Sequence, residues 1–135
     1  MKKDIIIPAV NDVYVAAIRE SEDSENNWTI YLINDTGVMI ENVLVTSKGY
    51  ELNHGKKKLV SSTMRHQLEN VEAHTAKPIE LIIPETFGIH NEYWVVFFKA
   101  GKLFERRFTF TPHTIDAKCE VPLPVLLGVK GILAK

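Results

Sequence analysis

Short apolar runs separated by clusters of turn residues repeat along this chain from Asp12 to Phe110. They are Val13–Ile18, Trp28–Ile33, Val38–Thr46, Leu59–Met64, Pro78–Ile83, Tyr93–Phe98 and Leu103–Phe110. None of them sustains the period that an amphipathic helix of about 12 residues or more requires. The pattern therefore predicts an all-β chain, an immunoglobulin-like two-sheet sandwich of about seven antiparallel strands. Asn34-Asp35-Thr36-Gly37 holds residues that tolerate positive φ, which predicts a hairpin turn between the second and third runs. Along the third run the apolar parity changes at Glu41-Asn42, from Val38 and Ile40 to Val43 and Val45, so a bulge is expected there. Lys48–Lys58, with Gly49, Gly55 and three consecutive lysines, reads as an exposed loop, and Leu59–Met64 as a short edge strand blunted by that charge. Met64, Leu68 and Val71 stand at helical spacing and offer a short helix as the alternative.

Pro78–Ile83 alternates, with Ile79, Leu81 and Ile83 on one face and Glu80 on the other. Tyr93–Phe98, Lys99-Ala100-Gly101-Lys102 and Leu103–Phe110 together read as a β-hairpin whose loop has two or three residues. Its first strand is apolar on both faces, Tyr93/Val95/Phe97 and Trp94/Val96/Phe98, whereas a sandwich strand ordinarily keeps one wet face. Each large side chain left in water forfeits roughly 1.5–3 kcal/mol, so the second face should be covered. The segment 121–135 is the natural cover. Pro122 and Pro124 bar it from a central strand, which leaves an extended apolar arm, docked on its own body or exchanged with a second copy. The expected organisation is one domain over 1–135 with that arm at its end. The expected interface residues are Trp94, Phe97, Val121, Leu123, Val125 and Leu126.

Composition narrows the function by exclusion. Apolar residues make up 45% and charged ones 24%, which argues against a largely disordered chain. The net charge is −1, with no global pull toward nucleic acid or anionic lipid. The charge is uneven, −5 over residues 1–45 and +4 over 46–135, but a sandwich interleaves its halves in space. Cys119 is the only cysteine, so no intrachain disulfide forms, as suits a reducing cytoplasm. Met1–Pro8 begins like a secretion signal, yet Asp4 and Pro8 cut its apolar run below the roughly 7–15 residues required. No stretch reaches the roughly 20 apolar residues of a membrane span.

Candidate chemistry is sparse. His54, His66, His74, His90 and His113 lack the two- or four-residue spacing of a shared metal face, so no metal is expected. Ser61, Ser62, Thr63 and His66 supply nucleophile and base types without a nucleophile elbow, and fit a hydroxyl-rich edge equally. Glu120 beside Cys119 disfavours a thiolate. No phosphate-cradling glycine motif exists, and no cofactor is expected. Lys99, Lys102, Arg106 and Arg107 share a hairpin with Trp94, Phe104 and Phe108, which suits single-stranded nucleic acid. Arg106 shares parity with Phe104, Phe108 and Phe110, so it snorkels to a rim, pairs with a carboxylate, or marks a bulge.

The stretches Asp12–Ala17, Tyr31–Asp35, Ser62–His66 and Lys102–Glu105 resemble a family of short uncharacterised bacterial proteins, some labelled phenylalanyl-tRNA synthetase alpha subunit. The resemblance implies a bacterial source and, through that label, a tRNA-associated role. The ATP-gripping arginine motifs and long helices of a class II synthetase have no counterpart in these residues, so no synthetase activity is expected. The leading expectation is a non-enzymatic cytoplasmic interaction module that forms a homodimer or binds another protein. The alternatives are a nucleic-acid binder using hairpin 99–107, and a small enzyme with an unrecognised site.

Overall fold

The computed structural model describes residues 9–21 and 26–135. The signal-like start Met1–Pro8 and part of the acidic stretch Glu20–Asn27 lie outside them. Among the described residues ten strands form two antiparallel sheets of five strands each, and no α-helix occurs. The first sheet holds β1 (Val13–Arg19), β2 (Trp28–Asn34), β6 (Thr75–Ile82), β9 (Val121–Pro122) and β10 (Lys130–Leu133) in the order β6-β2-β1-β10-β9. The second holds β3 (Ile40–Asn53), β4 (Lys56–Leu59), β5 (Met64–Val71), β7 (His90–Lys99) and β8 (Lys102–Phe110). Here β7 flanks β3 on one side, β4 and β5 share the other, and β8 is the edge beyond β7.

The core fills the gap between the sheets. Val13, Val15, Trp28, Ile30 and Leu32 come from the first sheet, and Ile40, Val43, Val45, Tyr93, Val95, Phe97 and Phe108 from the second. The expected bulge is present: pairing shifts between Ile40 and Val43, and Asn42 takes φ 50°, so that Ile40, Val43 and Val45 all face inward. The Tyr93–Phe110 hairpin closes on two residues, Ala100 and Gly101, both with positive φ, and its register runs unbroken from Lys99↔Lys102 to Asn91↔Phe110.

Four local expectations are overturned. Asn34–Gly37 is not a hairpin turn, because β1 and β6 already occupy both edges of β2. The chain crosses between sheets instead, around a fully buried Asn34 whose amide donates to Val38 O, Val71 O and Glu72 O. Lys48–Lys58 is a ladder, with β3 and β4 joined by His54 and Gly55 at positive φ. Both faces of that ladder end are wet, so no apolar alternation betrays it. The edge strand falls at Met64–Val71 rather than Leu59–Met64. A bulge at Glu69 (φ 64°) sets Leu68 and Val71 on the same inward face, which imitates a helical spacing. On β6, Ile30 pairs with Glu80 and Tyr31 with Pro78, so Ile79 is the extra residue of a bulge. One inserted residue exchanges faces: Ile79 and Ile82 are buried, Leu81 and Ile83 are exposed, and Glu80 turns inward.

The arm docks in cis, but on the other sheet. Strand β10 pairs with β1, and β9 lies beyond it as an edge, the position that Pro122 permits. Leu123, Val125, Leu126, Val129 and Leu133 pack with Tyr14, Ala16, Ile18, Ile33 and Ala76 on the outer face of the first sheet. Gly131 makes this approach possible, since a Cβ there would stand 2.5 Å from the Ala17 carbonyl oxygen. Arg19 and Glu120 pair at 2.6 Å beside the arm, and Lys135 exchanges two backbone hydrogen bonds with Thr109 of β8. The expectation that the arm covers the second face of Tyr93–Phe98 is therefore corrected. Strands β1 and β2 are also apolar on both faces, and theirs is the outer face that receives it.

Candidate functional site

Two surface features remain once core and arm are accounted for. The first is the outer face of the hairpin sheet. Alternation along β7 sends Tyr93, Val95 and Phe97 into the core and Trp94, Val96 and Phe98 outward. Cross-strand pairing sets Leu44 beside Val96, Leu103 beside Phe98, and Thr46 and Arg107 on either side of Trp94. Leu44, Phe98 and Leu103 stay 50%, 41% and 45% exposed, which makes a contiguous apolar area with no cover among the described residues.

The other half of this face is charged. Glu92 is only 4% exposed although it points away from the core, and it is buried beneath cations. Lys57 Nζ stands 3.3 Å from Glu92 Oε1, Lys48 Nζ 3.5 Å from Oε2 and Arg107 Nε 3.8 Å from Oε2. Three partners offset the cost of desolvating one carboxylate. The Arg107 guanidinium also lies 4.7 Å over the Trp94 ring, and Lys57 lies 4.7 Å over Tyr50, which stacks on His90.

Of the expected interface residues, Trp94 is half-buried on this outer face. Phe97 is corrected: it is 1% exposed and stacks on Phe104 inside the core, so no partner can reach it. Val121 is exposed on β9, Leu123 is buried, and Val125 and Leu126 are half-buried against the first sheet. These four lie on the opposite layer from Trp94, and the expected single patch does not form. The basic set divides as well. Lys99, Lys102 and Arg106 share the parity of the core face, whereas Arg107 projects from the outer one. Arg106 snorkels, with its guanidinium 4.5 Å over Phe108, and no bulge interrupts Arg106-Arg107. Lys99 lies 4.9 Å over Phe104.

The second feature is a cleft of about 330 Å³ where the sheets part between β6 and the β4–β5 connection. Its floor is Glu80, aimed inward by the Ile79 bulge. Three strands of the opposite sheet donate to this carboxylate: Ser47 Oγ at 2.8 Å and His66 Nε2 at 2.6 Å to Oε1, and Tyr93 Oη at 2.8 Å to Oε2. Burial, and then the adjacent Glu80 charge, pushes the Tyr93 phenol far above its ordinary range, so it stays a proton donor. His66 meets Glu80 through Nε2, and its Nδ1 has no partner among the described residues. Of the hydroxyl-and-histidine set Ser61, Ser62, Thr63 and His66, all but Thr63 line the cleft. Ser61 is structural, since its Oγ accepts from Gly49 N at 2.6 Å and donates to Ser62 O at 3.2 Å. Glu80 was missed because simple alternation assigns it to solvent. The unmatched register of β6 against β2 was the missing information.

Among the described residues no three His, Cys, Asp or Glu side chains gather as a metal site requires, and no helix is long and apolar enough to cross a membrane. No family model, curated protein or solved structure matches this chain.

Proposed function

We propose that this chain is a non-enzymatic interaction module that pairs with a second copy of itself through the outer face of β3, β7 and β8. One observation carries the reading: Leu44, Phe98 and Leu103 stay exposed around Val96 while the same chain devotes its arm to covering the opposite face. Contiguous exposed apolar area bordered by charge is the ordinary mark of a protein interface. The charge pattern favours a second copy. Glu105 and Arg107 stand two residues apart on this face of the edge strand. A two-fold axis lying across the strands sets Arg107 of one copy over Glu105 of the other, and the reverse, as an isologous interface requires. The nucleic-acid reading has less support, because its four cations divide between two faces and three of them lie over aromatic rings of their own hairpin.

In this reading the sandwich is immunoglobulin-like. Strands β1, β2 and β6 take the roles of A, B and E, while β3, β7 and β8 take those of C, F and G, with β5 beside C. The lone exposed thiol of Cys119 suits a reducing bacterial cytoplasm. Sedimentation velocity over a hundredfold concentration range tests the pairing. The expected result is a dimer that Phe98→Glu converts to monomer. A wild-type chain monomeric throughout that range overturns the proposal.

A further inference from the structure

We propose that the Glu80 cleft binds an alkylammonium or guanidinium group carried on an aliphatic stem. The cleft has apolar walls, with Met64 on one side and Leu81, Ile82 and Ile83 on the other. Leu81 is 72% exposed and Ile83 56%, so both stand ready to pack against an incoming chain of methylenes. The polar groups at the floor offer acceptors. Glu80 has a carboxylate, and the three donors on it leave about one of its roughly four lone-pair sites unspent. Asn91, which also lines the cleft, spends its amide nitrogen on Thr86 O and Ile89 O, so its amide oxygen is the group that remains as an acceptor. Lys48, another lining residue, is paired with Glu92 at 3.5 Å, and His66 with Glu80 at 2.6 Å.

A site of apolar walls and unspent acceptors around one carboxylate complements a donor-only cation, since lysine and arginine head groups have no acceptor of their own. It excludes anions by charge and neutral apolar ligands by leaving the acceptors unpaired. The aliphatic stem supplies the contact with Leu81 and Ile83, as basic side chains do elsewhere when they lay their methylenes along apolar surface. Two sources carry this chemistry: a free amine, and a basic side chain on a peptide extended along β6. Among the described residues strand β6 is the edge of its sheet, so either can approach.

The test is an NMR titration of the full chain, following the Ile82, Ile83 and His66 signals. The probes are n-pentylamine, agmatine, a blocked pentapeptide with a central lysine, and n-pentanol. Saturable shifts confined to the cleft are expected with the cations, with n-pentanol at least tenfold weaker. Saturation by the small amines identifies a free-amine site, and saturation by the peptide alone identifies the strand-edge mode. Glu80→Gln should weaken the cations at least tenfold, and Leu81→Lys, a change on the exposed wall that spares the core, should do so by charge repulsion. Equal binding of n-pentanol, no saturation by any cation, or undiminished cation binding in folded Glu80→Gln overturns the proposal. If Glu80→Gln fails to fold, undiminished binding in Leu81→Lys overturns it instead.

Discussion

The two outer faces of this sandwich start from the same problem and end differently. Strands β1 and β2 are apolar on both sides, and so is β7. The first face is dry: Ala16 and Ile33 are fully buried beneath the segment that runs from Leu123 to Leu133. Among the described residues nothing covers the second face around Phe98. One apolar arm is available among those residues, and it covers the face whose edge strand β1 also offers unpaired backbone groups for β10. Backbone pairing and side-chain burial therefore act together on the first sheet. On the second, β7 is central and already paired on both edges, and the edge strand β8 takes backbone hydrogen bonds from Lys135 alone at the very end of the arm.

The sharpest way to break this contrast is to remove the arm. Deleting residues 121–135 strips off buried Leu123 and Ile132 and several half-buried aliphatics, each fully buried one worth roughly 1.5–3 kcal/mol. The total loss is expected to exceed about 5 kcal/mol, which is the scale of a whole domain's stability. Urea unfolding should find the truncated chain unfolded or aggregated in buffer. A melting temperature unchanged by the deletion contradicts the assigned cover.

Gly131→Ala is a milder form of the same test. It drives a methyl against the Ala17 carbonyl oxygen, and the strain of such overpacking is about 1–3 kcal/mol. The loss should appear as early hydrogen exchange of the Ala17 and Ile132 amides, ahead of those in β7.

The interior that both sheets share has its own signature at high pH. The phenol of Tyr93 has a folded-state pKa raised above the unfolded value of about 10, by burial first and then by Glu80. Its contribution is complete below that value and is lost as pH rises, because the unfolded chain releases the proton that the folded chain keeps. Stability should fall by about 1.4 kcal/mol per pH unit above roughly pH 10 from this group alone. Tyr93→Phe should flatten that slope while costing about 1–3 kcal/mol at neutral pH, where Glu80 loses a donor.

The smallest effect on stability belongs to the open face. Phe98→Glu replaces a half-wet ring away from the core, so its unfolding free energy under monomeric conditions should stay within about 0.5 kcal/mol of wild type. Only its association should change.

The sequence announces the class of fold through run length, and announces the hairpin through Gly101 and its flanking aromatics. It also shows the bulge at Asn42, because parity changes inside one uninterrupted run. Other features escape it for a common reason. The bulges at Glu69 and Ile79 each lie in a run too short to display parity on both sides of the break. Asn34 looks like a turn residue because its side chain satisfies backbone groups, but those groups include Val71 O and Glu72 O, far along the chain. Which face the arm covers depends on the free edge of β1, a property of strand order that local pattern does not carry. The Glu80 cleft stayed hidden for the same reason, since its donors come from three strands brought together only by the sandwich.

The central claim is that a second copy shelters the face around Phe98. It is tested most directly by iodide quenching of Trp94, with buried Trp28 replaced by phenylalanine so that a single indole reports. The account predicts that quenching weakens as protein concentration rises through the dimer transition, and that Phe98→Glu removes this dependence. Quenching that stays constant from dilute to concentrated protein contradicts it.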